Sequence, residues 1–397
     1  MSKLFLEQLD VRGKRVLVRV DFNVPFDKEG EISDDLRIRE SFPTIRWLVD
    51  HGARTILMSH RGRPGGKVVS ELSLEPVAAH LGDLLRKTVP LAPDCVGPEV
   101  KRKLQGLGNG DVLLLENLRF HGGEESNDPA FAAELASLGE IYVNDAFGTA
   151  HRAHASTEGV THKISQRAAG YLMRKELEYL GKALENPRRP FVGIVGGSKV
   201  SGKIEVIEAL LKKVDTLLIG GGMAYTFFKA MGREIGHSLL EEDRLEVAKR
   251  ILEETRGKGR LLLPVDCVVA DRFANDADTT VVDADKLPAD RQALDIGPRS
   301  VERFTQIVRE AKTAIWNGPM GVFEMESFAK GTFSIAESLA AATAAGGVTI
   351  VGGGDSALAI TEAGLRGQVS HVSTGGGASL EFLEGKRLPG VEALSEA

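Results

Sequence analysis

Short apolar runs recur along the chain and alternate with longer stretches in which apolar residues return every three or four positions. In the first half the runs are "RVLVRV" (15–20), "TILMS" (55–59), "DVLLLE" (111–116) and "IYVN" (141–144). In the second half they are "FVGIV" (191–195), "TLLIG" (216–220), "RLLLPV" (260–265), "TAIW" (313–316), "VTIV" (348–351) and "VSHVS" (369–373). Strand-like runs separated by helical patterns are the mark of βαβ units and a parallel sheet. The pattern predicts an α/β protein with two doubly wound, Rossmann-like parallel-sheet domains. Between the halves, "YLMRKELEYLGKALENP" (171–187) sets Leu172, Leu177, Leu180 and Leu184 near helical spacing and closes on Pro187, where a helix stops. It reads as an interdomain helix and hinge, the alternative being a surface helix of one domain.

The 397 residues suit two domains of about 100 to 200 residues each. The boundaries follow as 1–170, a connecting 171–187, and a second domain from 188. Glycine is enriched, 45 of 397 or about 11% against a usual value of about 7%, so tight turns or close backbone approaches are needed in number. A net charge of −6 argues against a general nucleic-acid binder, and any anionic ligand must be met locally. Cys95 and Cys267 stand far apart in no metal-ligand spacing, which points to a reducing compartment. With no signal-like start and no apolar run of about 18 residues, a cytoplasmic location is expected.

Ligands of open α/β sheets bind beyond the carboxyl ends of the strands, so the segments that follow each run are the informative ones. Those of the first half supply His60, Arg61, Arg63, Arg119, His151 and Arg152, from "HRGRP", "NLRFHGG" and "DAFGTAHRAH". Arginine forks of this kind suit a small, multiply charged anion. Those of the second half are "GGSKVSGK", "GGGMAYTF", "NGPMGVFE", "GGGDS" and "TGGGAS", which offer backbone amides. Gly197, Gly202 and Lys203 fit the Walker A spacing, but Ile204 stands where a P-loop needs the Mg²⁺-binding hydroxyl, which speaks against a standard P-loop NTPase. Lys199 and Lys203 are then either phosphate partners or solvated side chains at a helix start. Asp355 is either the carboxylate that Mg²⁺ requires or the cap of the following helix. No G-x-S-x-G, H-E-x-x-H or G-x-G-x-x-G occurs, so phosphoryl transfer between a nucleotide and a small anion is the remaining reaction class.

Taken together, "RVDFNVP" (19–25), "SHRGRP" (59–64), "LLLENLRFHGGEE" (113–125), "NDAFGTAHRAHAST" (144–157), "GGSKVSGKI" (196–204), "WNGPMGVFE" (316–324), "GGGDS" and "STGGGASLEFLEGKRLPGVEAL" (373–394) closely resemble the phosphoglycerate kinase family. The resemblance implies transfer of a phosphoryl group between 1,3-bisphosphoglycerate and MgADP, giving 3-phosphoglycerate and MgATP, by a glycolytic, hinge-bending monomer. It implies that 1–170, joined by the tail from about 384 to 397, binds phosphoglycerate and that 188–383 binds nucleotide. Asp21, Phe22, Asn23, Arg37, His60, Gly62, Arg63, Arg119 and Arg152 would bind phosphoglycerate. Arg61 joins that group as a candidate, since the family usually has leucine there. Lys199, Lys203, Gly297, Asn317, Glu324, Gly353, Gly354, Asp355 and Ser356 would bind the nucleotide, with Asp355 on Mg²⁺ and Gly220, Gly221 and Gly222 bordering the adenine. Arg37, Lys203 and the amides of Gly375, Gly376 and Gly377 would surround the moving phosphoryl group. The alternatives are a non-catalytic nucleotide-binding protein of the same fold and a kinase for another small acid.

Overall fold

The computed structural model describes residues 3–257 and 260–397. Its contacts divide the chain into two units, Met1–Glu178 with Arg387–Ala397, and Tyr179–Lys386. The strands, in chain order, are β1 (Arg15–Arg19), β2 (Arg54–Met58), β3 (Val112–Leu114), β4 (Ile141–Asn144), β5 (Gln166–Ala169), β6 (Phe191–Val195), β7 (Thr216–Ile219), β8 (Leu261–Leu262), β9 (Asp266–Ala270), β10 (Thr279–Asp283), β11 (Gln292–Ile296), β12 (Thr313–Asn317), β13 (Val348–Gly352) and β14 (His371–Val372).

In the first unit all pairings are parallel and the order is β3-β2-β1-β4-β5. Val16, Leu17 and Val18 of β1 are fully buried, as a parallel strand covered by helices on both faces requires. In the second unit the main sheet is also parallel, in the order β14-β13-β12-β6-β7-β8. Counted within each unit, both sheets wind outward from their first strand and then reverse. The reversal leaves a crevice beside β1 and β4 in one unit and beside β6 and β12 in the other, where such sheets hold ligands.

Some of the architecture departs from the expectation. A separate three-stranded antiparallel sheet, β10-β9-β11, forms in the second unit, with a register shift between Ala293 and Asp295. β5 adds a fifth strand to the first unit's sheet, while the expected runs 260–265 and 369–373 shrink to two-residue strands.

The helix Tyr171–Glu185 ends before Pro187. Its start is held by side chains: Asp145 Oδ1 accepts from the amides of Leu172 (2.9 Å) and Met173 (3.2 Å), and Thr44 Oγ1 accepts from that of Tyr171 (2.8 Å). The tail belongs to the first unit. Leu4 N donates to Ser395 O (2.8 Å), Ser395 N to Arg167 O (2.9 Å), and Asn144 Nδ2 to Gly390 O (3.1 Å). Among the described residues, no helix is long and apolar enough to cross a membrane.

Candidate active site

In the first unit the residues after β1, β2 and β3 form one hydrogen-bonded cluster. Arg37 donates from one NH1 to Asp21 Oδ2 and to Asn23 O, both at 3.1 Å. Asn23 Oδ1 accepts from Gly62 N (2.9 Å), and Gly62 O accepts from Arg119 NH1 (2.8 Å). Arg119 also pairs with Glu125 at 3.2 Å. Asn117, which sequence reasoning did not nominate, ties the two loops by accepting from Arg61 N and Arg119 N and donating to Arg61 O.

Beneath this cluster lies a residue that was quoted in a motif but given no role. Arg19, the last residue of β1, is 1% exposed. Its guanidinium donates to Ser156 Oγ (2.8 Å), to Val20 O and to His60 Nδ1 (3.1 Å). Ser156 in turn donates to the buried carboxylate of Glu124 (2.6 Å). A guanidinium has only donors, so His60 Nδ1 must be the acceptor and Nε2 carries the ring proton. Burial, with Arg19, Arg119 and Arg37 nearby, holds His60 well below the usual histidine range. Burial and the same field from Arg19 and Arg119 lower His154 to about 4. Both rings are therefore neutral at pH 7, and His60 can offer a hydrogen bond but no charge.

The other candidates of this unit differ in what they present. Arg63 and Arg152 are exposed, with no side-chain hydrogen bond among the described residues, and Arg152 acts electrostatically on Arg119 and His154. Phe22 is fully buried, so only its backbone is available, and its amide is taken by Ser59 Oγ. Arg61 turns elsewhere: its NH1 donates to Ser73 O (2.9 Å), and its Cζ sits 3.4 Å over the Phe26 ring centre. Arg61→Leu is accordingly expected to change the phosphoglycerate KM less than about twofold, while costing about 1 kcal/mol of stability from the lost hydrogen bond and ring contact. Steady-state kinetics with urea unfolding check this, and a tenfold rise in KM would return Arg61 to the binding set.

In the second unit a cleft of about 450 Å³ opens beside β6, β7 and β11. Gly197, Gly221, Gly222, Glu324 and Asp355 line it, as do Tyr225, Leu239, Phe273, Ala293, Leu294, Val322 and Met325. The second, apolar group was not anticipated. Phe273 lies between β9 and β10, and Gln292 to Leu294 belong to β11, so the unexpected antiparallel sheet builds this wall. Leu239 and Phe273 are each 59% exposed, which leaves apolar surface free to meet a flat ring.

Lys203 bridges the reversal point of the sheet. Its Nζ donates to Gly196 O after β6 (2.6 Å) and to Asn317 O at the end of β12 (3.1 Å). Gly318 explains part of this approach: its φ is +99°, and a Cβ there would lie 2.3 Å from Lys203 Nζ. Burial lowers the Lys203 ammonium to about 8, and Asp355 opposes that shift. Glu241, also unforeseen, accepts from Val200 N and, at 3.2 Å, from Ser201 N, and so braces the loop that carries Lys199 and Lys203. Lys199 itself is exposed.

Asp355 is exposed in the first turn of the helix Gly354–Glu362, whose N-cap is Gly353 (φ 91°). Its carboxylate makes no hydrogen bond among the described residues, which leaves the capping alternative without support and the group free for a ligand. Ser356 is buried and accepts from Gly318 N (2.6 Å), while Asn317 Nδ2 donates to Gly352 O (3.0 Å); both hold the loops rather than face the cleft. Gly220 packs on Met320, and Gly297 meets the Asp266 carboxylate that caps the next helix, which a Cβ there would approach to 2.3 Å. The amide of Gly375 is taken by Ser373 Oγ (3.1 Å), and Gly376 and Gly377 open the short helix Gly377–Leu383.

The family model described as phosphoglycerate kinase matches residues 6–386. A phosphoglycerate kinase of Chloroherpeton thalassium is 59% identical over 398 residues, covering all of both chains. The solved structure of phosphoglycerate kinase from Coxiella burnetii superposes with a TM-score of 0.90 at 44% identity, and that from Pyrococcus horikoshii with 0.84 at 32%, each covering 98% of both chains. The chain, with its guanidinium-lined strand ends in one unit and its amide-lined cleft in the other, belongs to the phosphoglycerate kinase family.

Proposed function

We propose that the chain transfers a phosphoryl group reversibly between the acyl phosphate of 1,3-bisphosphoglycerate and ADP, giving 3-phosphoglycerate and ATP. The observation that carries this reading is the division of chemistry between the strand ends. Arg37, Arg63, Arg119 and Arg152 gather cations in one unit, while the other pairs an amide-rich cleft with two exposed carboxylates, Glu324 and Asp355, and one buried lysine.

Asp21, Asn23, Arg37, His60, Arg63, Arg119 and Arg152 hold phosphoglycerate, while Gly62, its amide on Asn23 and its carbonyl on Arg119, orders the loop between them. Gly221, Gly222 and Glu324 seat the nucleoside. A carboxylate acceptor is already ionised at pH 7, because a free carboxyl titrates near about 4, so the reaction needs no base. What remains is charge neutralisation by Arg37, Lys203 and the amides of Gly376 and Gly377, the Gly375 amide being held by Ser373. The residues fit Mg²⁺: it takes one or two carboxylates beside water and phosphate, and Asp355 is an exposed, unbonded carboxylate in the cleft wall. When bound, the ion offsets phosphate charge. Reacting atoms must come within about 3 to 3.5 Å, and the helix Tyr171–Glu185 is the hinge we assign to that approach. The chain acts as a cytoplasmic monomer on small molecules, with no nucleic acid or membrane partner.

A coupled assay that consumes 1,3-bisphosphoglycerate as it forms from 3-phosphoglycerate and ATP tests the reading. Turnover is expected, and its absence in folded protein would overturn it. In the same assay Asp355→Asn should raise the Mg²⁺ concentration for half activity about tenfold or more; an unchanged Mg²⁺ dependence removes the role given to Asp355.

A further inference from the structure

Nothing in the spacing of Asp94, Cys95 and His121 along the chain suggests a common task. The fold nevertheless brings one ligand atom from each within 4.8 Å of the others. We propose that these three side chains bind a divalent transition-metal ion of the zinc class, with water completing a tetrahedron. Carboxylate oxygen, thiolate sulfur and imidazole nitrogen are all zinc ligands, and three protein ligands plus a solvent position is a common arrangement for that ion.

The two segments are neighbours because both are tied to the end of β3. Ala92 N donates to Leu114 O (2.7 Å) on one side, and on the other the chain runs from β3 through Glu116 into the Leu118–Phe120 turn, which His121 follows. His121 Nε2 lies 2.5 Å from Asp94 Oδ1, and its ring stacks on Phe131 with centroids 4.9 Å apart, so its direction is set. An ordinary His–Asp pair accounts for these two groups. The thiol brought to the same place is fully buried and donates to Glu116 O (2.9 Å).

Ligand atoms held at about 2.0 to 2.3 Å from a tetrahedral centre stand about 3.3 to 3.8 Å apart, so the His–Asp contact must open by about 1 Å and the widest separation in the cluster close by about as much. The Glu116 carboxylate is occupied by Ser73 Oγ, Leu74 N and Asn117 N, so it is no ligand, but with Asp94 it keeps the site attractive to a cation. When the ion binds, a sulfur–metal bond replaces the S–H bond of Cys95 and that proton leaves to solvent, while the proton of the neutral His121 ring moves from Nε2 to Nδ1 so that Nε2 can ligate. The ion would fasten residues 94–95 to His121, two positions beyond Arg119.

Co²⁺ titration of the folded, full-length protein tests this, followed by the near-ultraviolet absorption of a thiolate–cobalt bond. A band that saturates at one equivalent, is displaced by Zn²⁺, survives Cys267→Ser and vanishes in Cys95→Ser is expected. No band in the parent, or a band that persists in Cys95→Ser, overturns the site. Should Cys95→Ser fail to fold, the half-buried positions decide: Asp94→Asn and His121→Gln should each weaken Co²⁺ about tenfold or more, and unchanged affinity in both overturns the site.

Discussion

Lys203→Ala is expected to lower kcat by about 10² to 10³-fold, the effect of removing one well-aimed charge-stabilising donor, worth about 2.7 to 4 kcal/mol. The phosphoglycerate KM should move little, since that substrate's contacts are assigned to the other unit. An equal loss in kcat and in phosphoglycerate affinity would show that the lysine only positions substrate. The pH dependence adds a second signature. Lys203 is lowered to about 8 in the folded protein, so nucleotide kcat/KM should fall as pH rises through about 8, and a Lys203→Arg protein should hold its profile to higher pH. The sign for stability is opposite. The unfolded chain binds more protons between about 8 and the ordinary 10.5, so this group destabilises the fold at pH 7 and does so less as pH rises through that window. The variant also leaves Gly196 O and Asn317 O without their donor, so circular dichroism at pH 7 separates lost activity from unfolding.

Arg19→Met is expected to cost about 3 to 5 kcal/mol, the usual result of removing one partner from a buried charged network. Glu124 would keep a fully buried carboxylate with Ser156 but lose Arg19, the cation that acts on it more strongly than Arg119. His60 would lose the donor that fixes its tautomer, so phosphoglycerate KM should rise together with the loss of stability. Urea unfolding of Arg19→Met, Glu124→Gln and the double variant checks this, and the double should lose less than the sum of the singles. Strict additivity, or a loss below about 1 kcal/mol for Arg19→Met, would dissolve the network.

The sequence made the parallel sheets readable because their strands are short apolar runs, fully covered, and each is followed by a segment rich in glycine or arginine. β5 escaped notice because "QRAA" has no β-branched residue and half of it faces solvent. The sheet of β9 to β11 escaped because "TTVVD" is partly exposed and "QALDI" carries a buried aspartate, so neither reads as core. The "AND" turn chemistry between β9 and β10 was the signal that a hairpin was there. With that sheet went the apolar wall of the cleft, including Phe273. Arg19 was hidden for a different reason: charge ordinarily marks surface, and only the fold brings Ser156 and His60, distant in the chain, against its guanidinium. Asn317 and Ser356 were legible as loop residues at the right strand ends, but which way each side chain points depends on partners distant in the chain.

Residues Arg387–Ala397 pack with Met1–Glu178, where they engage Leu4, Asn144 and Arg167 across more than two hundred positions of sequence. During synthesis, the stretch Tyr179–Lys386 has all its own partners before the earlier-made stretch has its last ones. Until that tail is in place, the earlier stretch keeps an uncovered seam beside β4 and β5.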